Sequence, residues 1–92
     1  MEIEEKVLVG KVTHYYPKIG VAVVEVKEEI RLGDEISIEG NTTNIRQKVE
    51  SMQIEHKPIE AARPGDLIGL KVVDRVRKND LVYKIVKKEL GE

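Results

Sequence analysis

Three near-copies of one phrase punctuate the chain: Arg31-Leu32-Gly33-Asp34-Glu35-Ile36, Arg63-Pro64-Gly65-Asp66-Leu67-Ile68 and Arg77-Lys78-Asn79-Asp80-Leu81-Val82. In each, a residue tolerant of positive φ (Gly33, Gly65, Asn79) precedes an Asp (Asp34, Asp66, Asp80), and a short apolar run follows. Glycine has no Cβ to clash in the left-handed region, and Asn is its most frequent non-glycine visitor. An Asp at a turn bonds its own backbone a residue or two on. Pro64 suits the first central position of a type II turn and Gly65 the second, where φ must be positive. The phrase therefore predicts three β-turns, each launching a strand.

Strand signals fill the spaces between the turns. Residues 7–12 alternate, and Tyr15-Tyr16-Pro17-Lys18 breaks the run with a loop. Residues 19–26 form a β-branched run, apolar on both faces at its centre. Ile36-Ser37-Ile38 is a short alternating strand, followed by the polar loop Gly40-Asn41-Thr42-Thr43-Asn44. A longer strand is expected through Ile45, Val49, Met52 and Ile54. Its apolar positions switch parity between Val49 and Met52, which predicts a bulge or sharp bend near Glu50-Ser51. Strands over 67–73 and 81–86 follow the second and third turns, and 58–62 adds a short segment, extended or one turn of helix. No stretch shows sustained helical periodicity. The expected fold is all-β, a small closed antiparallel barrel over residues 7–86, with tails at 1–6 and 87–92; closure would remove exposed strand edges.

Composition narrows the function classes. A chain of 92 residues makes one domain, burying roughly 60–65% of its unfolded surface. It has no cysteine, so neither a disulfide framework nor a thiolate zinc site is available. Met1-Glu2-Ile3-Glu4-Glu5-Lys6 is charged and does not read as a signal peptide, and no run approaches a membrane span. The expected location is cytoplasmic, with no membrane contact. Charged residues make up 36% of the chain, mostly Glu and Lys, and Phe and Trp are absent; this balance resembles proteins from hot habitats. The net charge of −1 supplies no global field for nucleic acid. Its distribution is uneven, however. Lys71, Arg75, Arg77, Lys78, Lys84, Lys87 and Lys88 face only Asp74 and Asp80 between 71 and 88, while the first segment is acidic.

Catalysis has little to work with. His14 and His56 have no Cys, His or carboxylate at metal-ligand spacing, and Ser51 near His56 does not make a nucleophile–base pair. Asp66-Leu67-Ile68-Gly69 matches the D-x-x-G of GTPases, but the phosphate-cradling G-x-x-x-x-G-K-[ST] loop is missing, so no GTP binding is expected. Asn41-Thr42-Thr43 is a formal glycosylation sequon, relevant only on secretion. No enzyme activity, cofactor or metal is expected. Two groups suit recognition instead. Tyr15 and Tyr16 place two rings at a loop, where they can stack on bases or on a partner. Gln53, Glu55, His56 and Lys57 mix donors and acceptors at a strand end.

The stretch Val49-Glu50-Ser51-Met52-Gln53-Ile54-Glu55-His56-Lys57, continued by Ala61-Ala62-Arg63-Pro64-Gly65-Asp66-Leu67-Ile68-Gly69-Leu70, resembles the second domain of translational GTPases. That domain of the aminoacyl-tRNA delivery factor carries V-x-S-[MIV]-[EQ] and A-x-P-G-D-x-[IV]-G. Gly10-Lys11-Val12, the first Gly-Asp turn and Arg77-Lys78-Asn79-Asp80-Leu81-Val82 sit where that family opens, turns and closes. The resemblance implies a barrel that holds the aminoacylated 3′ end of tRNA. His56 and Gly69 match. Gln53 stands where an acidic residue is usual, and Leu67 where Asn is frequent; Leu cannot hydrogen-bond. The run Gly10-Lys11-Val12, Tyr16-Pro17, Gly20-Val21-Ala22-Val23-Val24-Glu25 and Gly33-Asp34 is also similar to the small barrel ending U32-family peptidase-like proteins, some of which act in RNA modification.

Together these features predict a non-enzymatic module binding RNA, tRNA-like, or a translation or RNA-modification ribonucleoprotein. The expected contacts are Tyr15, Tyr16, Gln53, Glu55, His56, Lys57, Arg75, Arg77 and Lys78. The alternative is a protein–protein module docking on a translation factor or RNA-modifying enzyme without touching RNA, motivated by the two-faced apolar run at 19–26. An accessory subunit or homodimer using the same face is a third reading.

Overall fold

The computed structural model describes residues 2–89. It contains ten strands: β1 (Glu2–Tyr16), β2 (Val21–Val26), β3 (Ile30–Arg31), β4 (Glu35–Glu39), β5 (Asn44–Lys48), β6 (Met52–Ile54), β7 (Lys57–Ile59), β8 (Ala61–Ala62), β9 (Leu67–Lys71) and β10 (Leu81–Glu89). Eight of them form one antiparallel sheet in the order β5-β4-β10-β1-β2-β9-β6-β7, and β3 pairs with β8. The all-β antiparallel expectation therefore holds. No described helix is long and apolar enough to cross a membrane.

Each of the three phrases folds into the same device. The Asp amide donates to the Arg carbonyl three residues back, at 3.1 Å for Asp34, 3.0 Å for Asp66 and 3.1 Å for Asp80. The Asp carboxylate accepts from that same Arg amide, at 2.8, 2.9 and 2.8 Å. Asp thus bonds backward by three residues, not forward as expected. Gly33, Gly65 and Asn79 all have positive φ. Their amides donate to the carbonyls of Val49, Val26 and Val12, and those valines' amides donate back to the carbonyls of Asp34, Asp66 and Asp80. Each turn is clasped to one buried valine, so its otherwise exposed backbone groups are satisfied within the fold.

Those valines belong to a single core with Ile30, Ile36, Ile38, Met52, Ile68, Leu70, Val24, Val76 and Val82, all essentially inaccessible. Aliphatic side chains alternate inward from β2, β4 and β9, as the period of two requires. Bulges at Val9 and Thr13 interrupt the register of β1. The parity switch foreseen near Glu50-Ser51 is a break between β5 and β6, which lets both Val49 and Met52 point inward.

Two expectations are corrected. The sheet does not close into a barrel by strand pairing; β5 and β7 remain its edges. The reason lies at the same break, where Val49 leaves the ladder to clasp the first turn and β6 restarts against β9. The gap is spanned by the Gln47 amide, which donates to the Lys71 carbonyl at 3.0 Å and accepts from the Val73 amide at 2.9 Å. A bond from the Lys71 amide to the Ser51 carbonyl adds a further link. The second correction concerns the tails. Residues 2–6 pair with 85–89, from Glu2 opposite Glu89 to Lys6 opposite Ile85, and make a two-stranded arm. Met1 and residues 90–92 lie outside the described residues.

The arm also resolves the uneven charge. Acidic β1 lies beside basic β10, and Lys88 reaches Glu5 at 2.9 Å while Lys87 and Lys84 reach Glu35 and Asp34 at 3.7 and 3.3 Å. Arg46 on β5 bridges Glu4 and Glu35, 2.7 Å from each, and this hydrogen bonding holds both carboxyls below the usual Glu range. Bonds from Lys6 and Ser37 do the same for Glu39. Charges segregated along the chain are neutralised across the sheet.

Candidate docking groove

The outer face of β2, β9 and β6 carries a groove of about 540 Å³. Strand register builds it. His14, Val23, Gly69 and Gln53 lie opposite one another in a row across β1, β2, β9 and β6, and Tyr16 and Val21 form the next row. Because Ala22, Val24 and Val26 fill the core, period two turns Val21 and Val23 outward. At Gly69 the floor is bare. A Cβ there would sit 3.3 Å from both Gln53 Cγ and Val21 Cγ1, so any larger residue would fill the space. Ile19 and Leu67, 62% and 58% exposed, stand at the rim with Tyr16. The Tyr16 ring is set by an edge-to-face contact with His14, centroids 4.4 Å apart.

One end of the groove is a strained hairpin. Gln53-Ile54-Glu55-His56-Lys57, expected as a strand end, turns tightly: Ile54 pairs with Lys57 across Glu55 and His56. These two residues have φ of 50° and 67°. Two-residue hairpins with both central φ positive normally recruit Asn-Gly. His visits that region more readily than most residues, but Glu is not favoured there, and such strain, about 1–3 kcal/mol for a residue, persists only where the surroundings enforce it.

The structure separates the residues expected to act together. Tyr16, Gln53, Glu55 and His56 line the groove. Tyr15 and Tyr16 end β1, paired with β2, and do not lie in a loop as expected; Tyr15 packs against the core, and Lys57 is exposed on β7 outside the lining. Arg75, Arg77 and Lys78 border depressions shared with residues 39–45. Gly33, Asp34, Gly65, Asp66, Asn79 and Asp80 are turn residues, as expected. Reading by residue chemistry missed Val21, Val23, Ile19, Leu67 and Gly69 as one surface. The available signal was the apolar character of alternate positions in β2. Among the described residues, no group of three or more His, Asp or Glu is placed to hold a metal.

Comparison with known proteins decides the family. The family model described as peptidase family U32 C-terminal domain matches residues 4–82. The chain belongs to this family. An uncharacterised protease of Methanocaldococcus jannaschii is 40% identical to it over 79 residues, which is 85% of this chain and 19% of that protein. A protein named collagenase from Porphyromonas gingivalis is 40% identical over 87 residues, 92% of this chain and 21% of that one. This U32 C-terminal domain thus spans about a fifth of the length of the curated relatives it matches. Among solved structures, the C-terminal domain of a Geobacillus thermoleovorans protein described as a U32 peptidase superposes with a TM-score of 0.79 at 29% identity, covering 84% of this chain and 90% of that one. Its selenomethionine form superposes with a TM-score of 0.78 at 28% identity, covering 82% and 95%. Of the two resemblances read from the sequence, these findings support the U32 one; the elongation-factor assignment rests on the turn and strand motifs alone.

Proposed function

We propose that this U32 C-terminal domain is a non-catalytic accessory module of a larger protein in a cytoplasmic setting, and that its groove holds an extended polypeptide segment. The observation that carries this reading is the bare apolar floor at Gly69, flanked by outward Val21 and Val23 and by exposed Ile19 and Leu67. A lone sheet face of this kind ordinarily carries polar residues. The names of the relatives, protease and collagenase, give the occupant its class, a polypeptide chain. Apolar anchors would seat over Gly69, and Gln53 would bond the segment's backbone. Titrating isotope-labelled protein with denatured collagen peptides tests this. The amides of Val21, Val23, Leu67 and Gly69 should shift, and Leu67→Lys should abolish the shifts. Unmoved groove resonances at millimolar peptide would end the proposal.

RNA binding is the second reading, in keeping with the elongation-factor-like motifs. One observation favours it: Arg75, Arg77 and Lys78 are exposed and make no ion pair within 4 Å among the described residues, whereas Lys84, Lys87 and Lys88 are all paired. On this reading RNA meets the 75–78 surface and not the groove. Absence of any binding to single-stranded RNA at low salt would remove it.

A further inference from the structure

We infer that the loop at 40–44 and the turn at 75–80 together form a preorganised cradle for a phosphodiester strand, with Arg77 at its centre and Asn41, Thr42 and Asn44 as its polar wall. The inference rests on the RNA reading and adds the site and the part of the nucleic acid it grips. Arg77 borders two adjoining depressions, of about 250 and 400 Å³. The first is walled by Thr42, Thr43 and Asn44, and the second by Gly40 and Asn41. One cation thus looks onto both sides of a strip of amide and hydroxyl groups, with Arg75 and Lys78 on either side of it in sequence.

The strip and the turn approach closely where Gly40 faces Asp80. Gly40 donates its amide to the Thr43 carbonyl at 2.9 Å, closing the loop. Its bare α-carbon lies against the Asp80 carboxylate, so that any Cβ would collide with Asp80 Oδ1. Asp80 is buried, and its other carboxylate oxygen accepts from the Arg77 amide. The Arg77 backbone is therefore held by the same acid that lies against Gly40 of the loop. Three carboxylates line the depressions beside these cations, Asp74 the first and Glu39 and Asp80 the second. Glu39 is bonded by Lys6 and Ser37, Asp80 by backbone, and Asp74 by the Arg75 amide at 2.7 Å.

Charge and chemistry choose the occupant. Guanidinium forks bond oxyanions in pairs, and Asn and Thr side chains supply further donors to phosphate oxygens. None of Asn41, Thr42, Asn44, Arg75, Arg77 and Lys78 is aromatic, so no aromatic ring at the cradle stacks on a base. Recognition there is of backbone, without sequence preference.

The test measures binding of fluorescent twelve-nucleotide oligo-U and oligo-dT to the full chain by anisotropy, with circular dichroism confirming that each variant folds. Both strands should bind, and with three cations engaged affinity should fall roughly fifteen- to twenty-fold between 50 and 200 mM salt. Arg77→Glu should weaken both by at least about tenfold. Arg63→Glu makes the same charge change at a distant turn and should weaken binding by less than about threefold. The double variant Asn41→Asp/Asn44→Asp should match the Arg77→Glu loss. If RNA binds but the loop variant and Arg63→Glu behave alike, attraction is diffuse and the cradle is refuted while RNA binding stands. Poly-glutamate binding as tightly as oligo-U, with the same sensitivity to Arg77→Glu, would overturn the phosphodiester assignment. No binding of either oligonucleotide would refute cradle and RNA reading together.

Discussion

The three clasped turns and the Glu55-His56 hairpin place backbone in the same left-handed region, yet they do so by opposite means. At the turns, Gly33, Gly65 and Asn79 accept positive φ cheaply, and an Asp carboxylate, a backbone bond and a buried valine hold each one. At the hairpin, Glu55 and His56 enter it without a glycine or Asn, between the paired strands β6 and β7. The turns are built for stability. The hairpin stores strain beside the groove, the place where strain accompanies recognition.

Removing the Asp carboxylates probes the first half of this contrast most strongly. Asp80→Ala should destabilise by about 2–3 kcal/mol, because it strips a buried charge-assisted bond and opens a void against Gly40. Asp34→Ala, whose carboxylate is partly exposed and reached also by Lys84, should cost about half as much. Equal losses in chemical denaturation would show that burial does not distinguish the copies. Gly65→Val should cost about 1–3 kcal/mol, all of it backbone strain, since nothing lies within 4 Å of a Cβ at that position. An unchanged melting temperature would contradict the positive φ.

The hairpin should respond in the other direction. Glu55→Asn with His56→Gly should raise stability by about 1 kcal/mol by relieving the strain. It should also weaken collagen-peptide binding in the groove. A stabilised variant with intact binding would show the strain to be incidental.

The smallest effect concerns the charged arm. Glu4 and Glu35 are held below 4.5 by Arg46, and Glu39 by Lys6 and Ser37. A carboxyl whose folded value is depressed lends stability that is complete above its unfolded value and is lost as pH falls through the folded one. Hydrogen-exchange protection of 2–6 and 85–89 should therefore drop below pH 4.5 while that of β2 and β9 persists. Equal loss in both regions would mean that the arm and the groove strands unfold as one unit.

Much of the fold was legible because its signals are local. Positive-φ residues beside Asp, β-branched alternation and the parity switch at Val49 and Met52 each act within a few residues, and each located a real feature. The hairpin at Glu55 and His56 was invisible because its residues are atypical for the turn they make. The open sheet could not be read either, since it depends on the Val49 clasp and on a Gln47 side chain spanning from β5 to Lys71 and Val73. The tails were misjudged for a related reason. Acidic 2–6 looks like solvated chain until basic 85–89 lies beside it.

By itself, then, the sequence determined the three turns, the all-β class and the likeness to the U32 C-terminal domain, since turn geometry and strand period are encoded in neighbours. Tertiary structure alone decided which side chains share a surface. Val21, Val23, Gly69 and Gln53 become one groove only through the register of three strands. Arg77 borders the same depressions as Asn41 and Asn44, which lie far from it in the chain, and Gly40 leaves room there for the Asp80 carboxylate. The apparent basic stretch likewise splits, Lys84, Lys87 and Lys88 being neutralised across the sheet while Arg75, Arg77 and Lys78 remain at the surface. Sites and fields depend on distances in space, and strand pairing sets those distances between residues far apart in the chain.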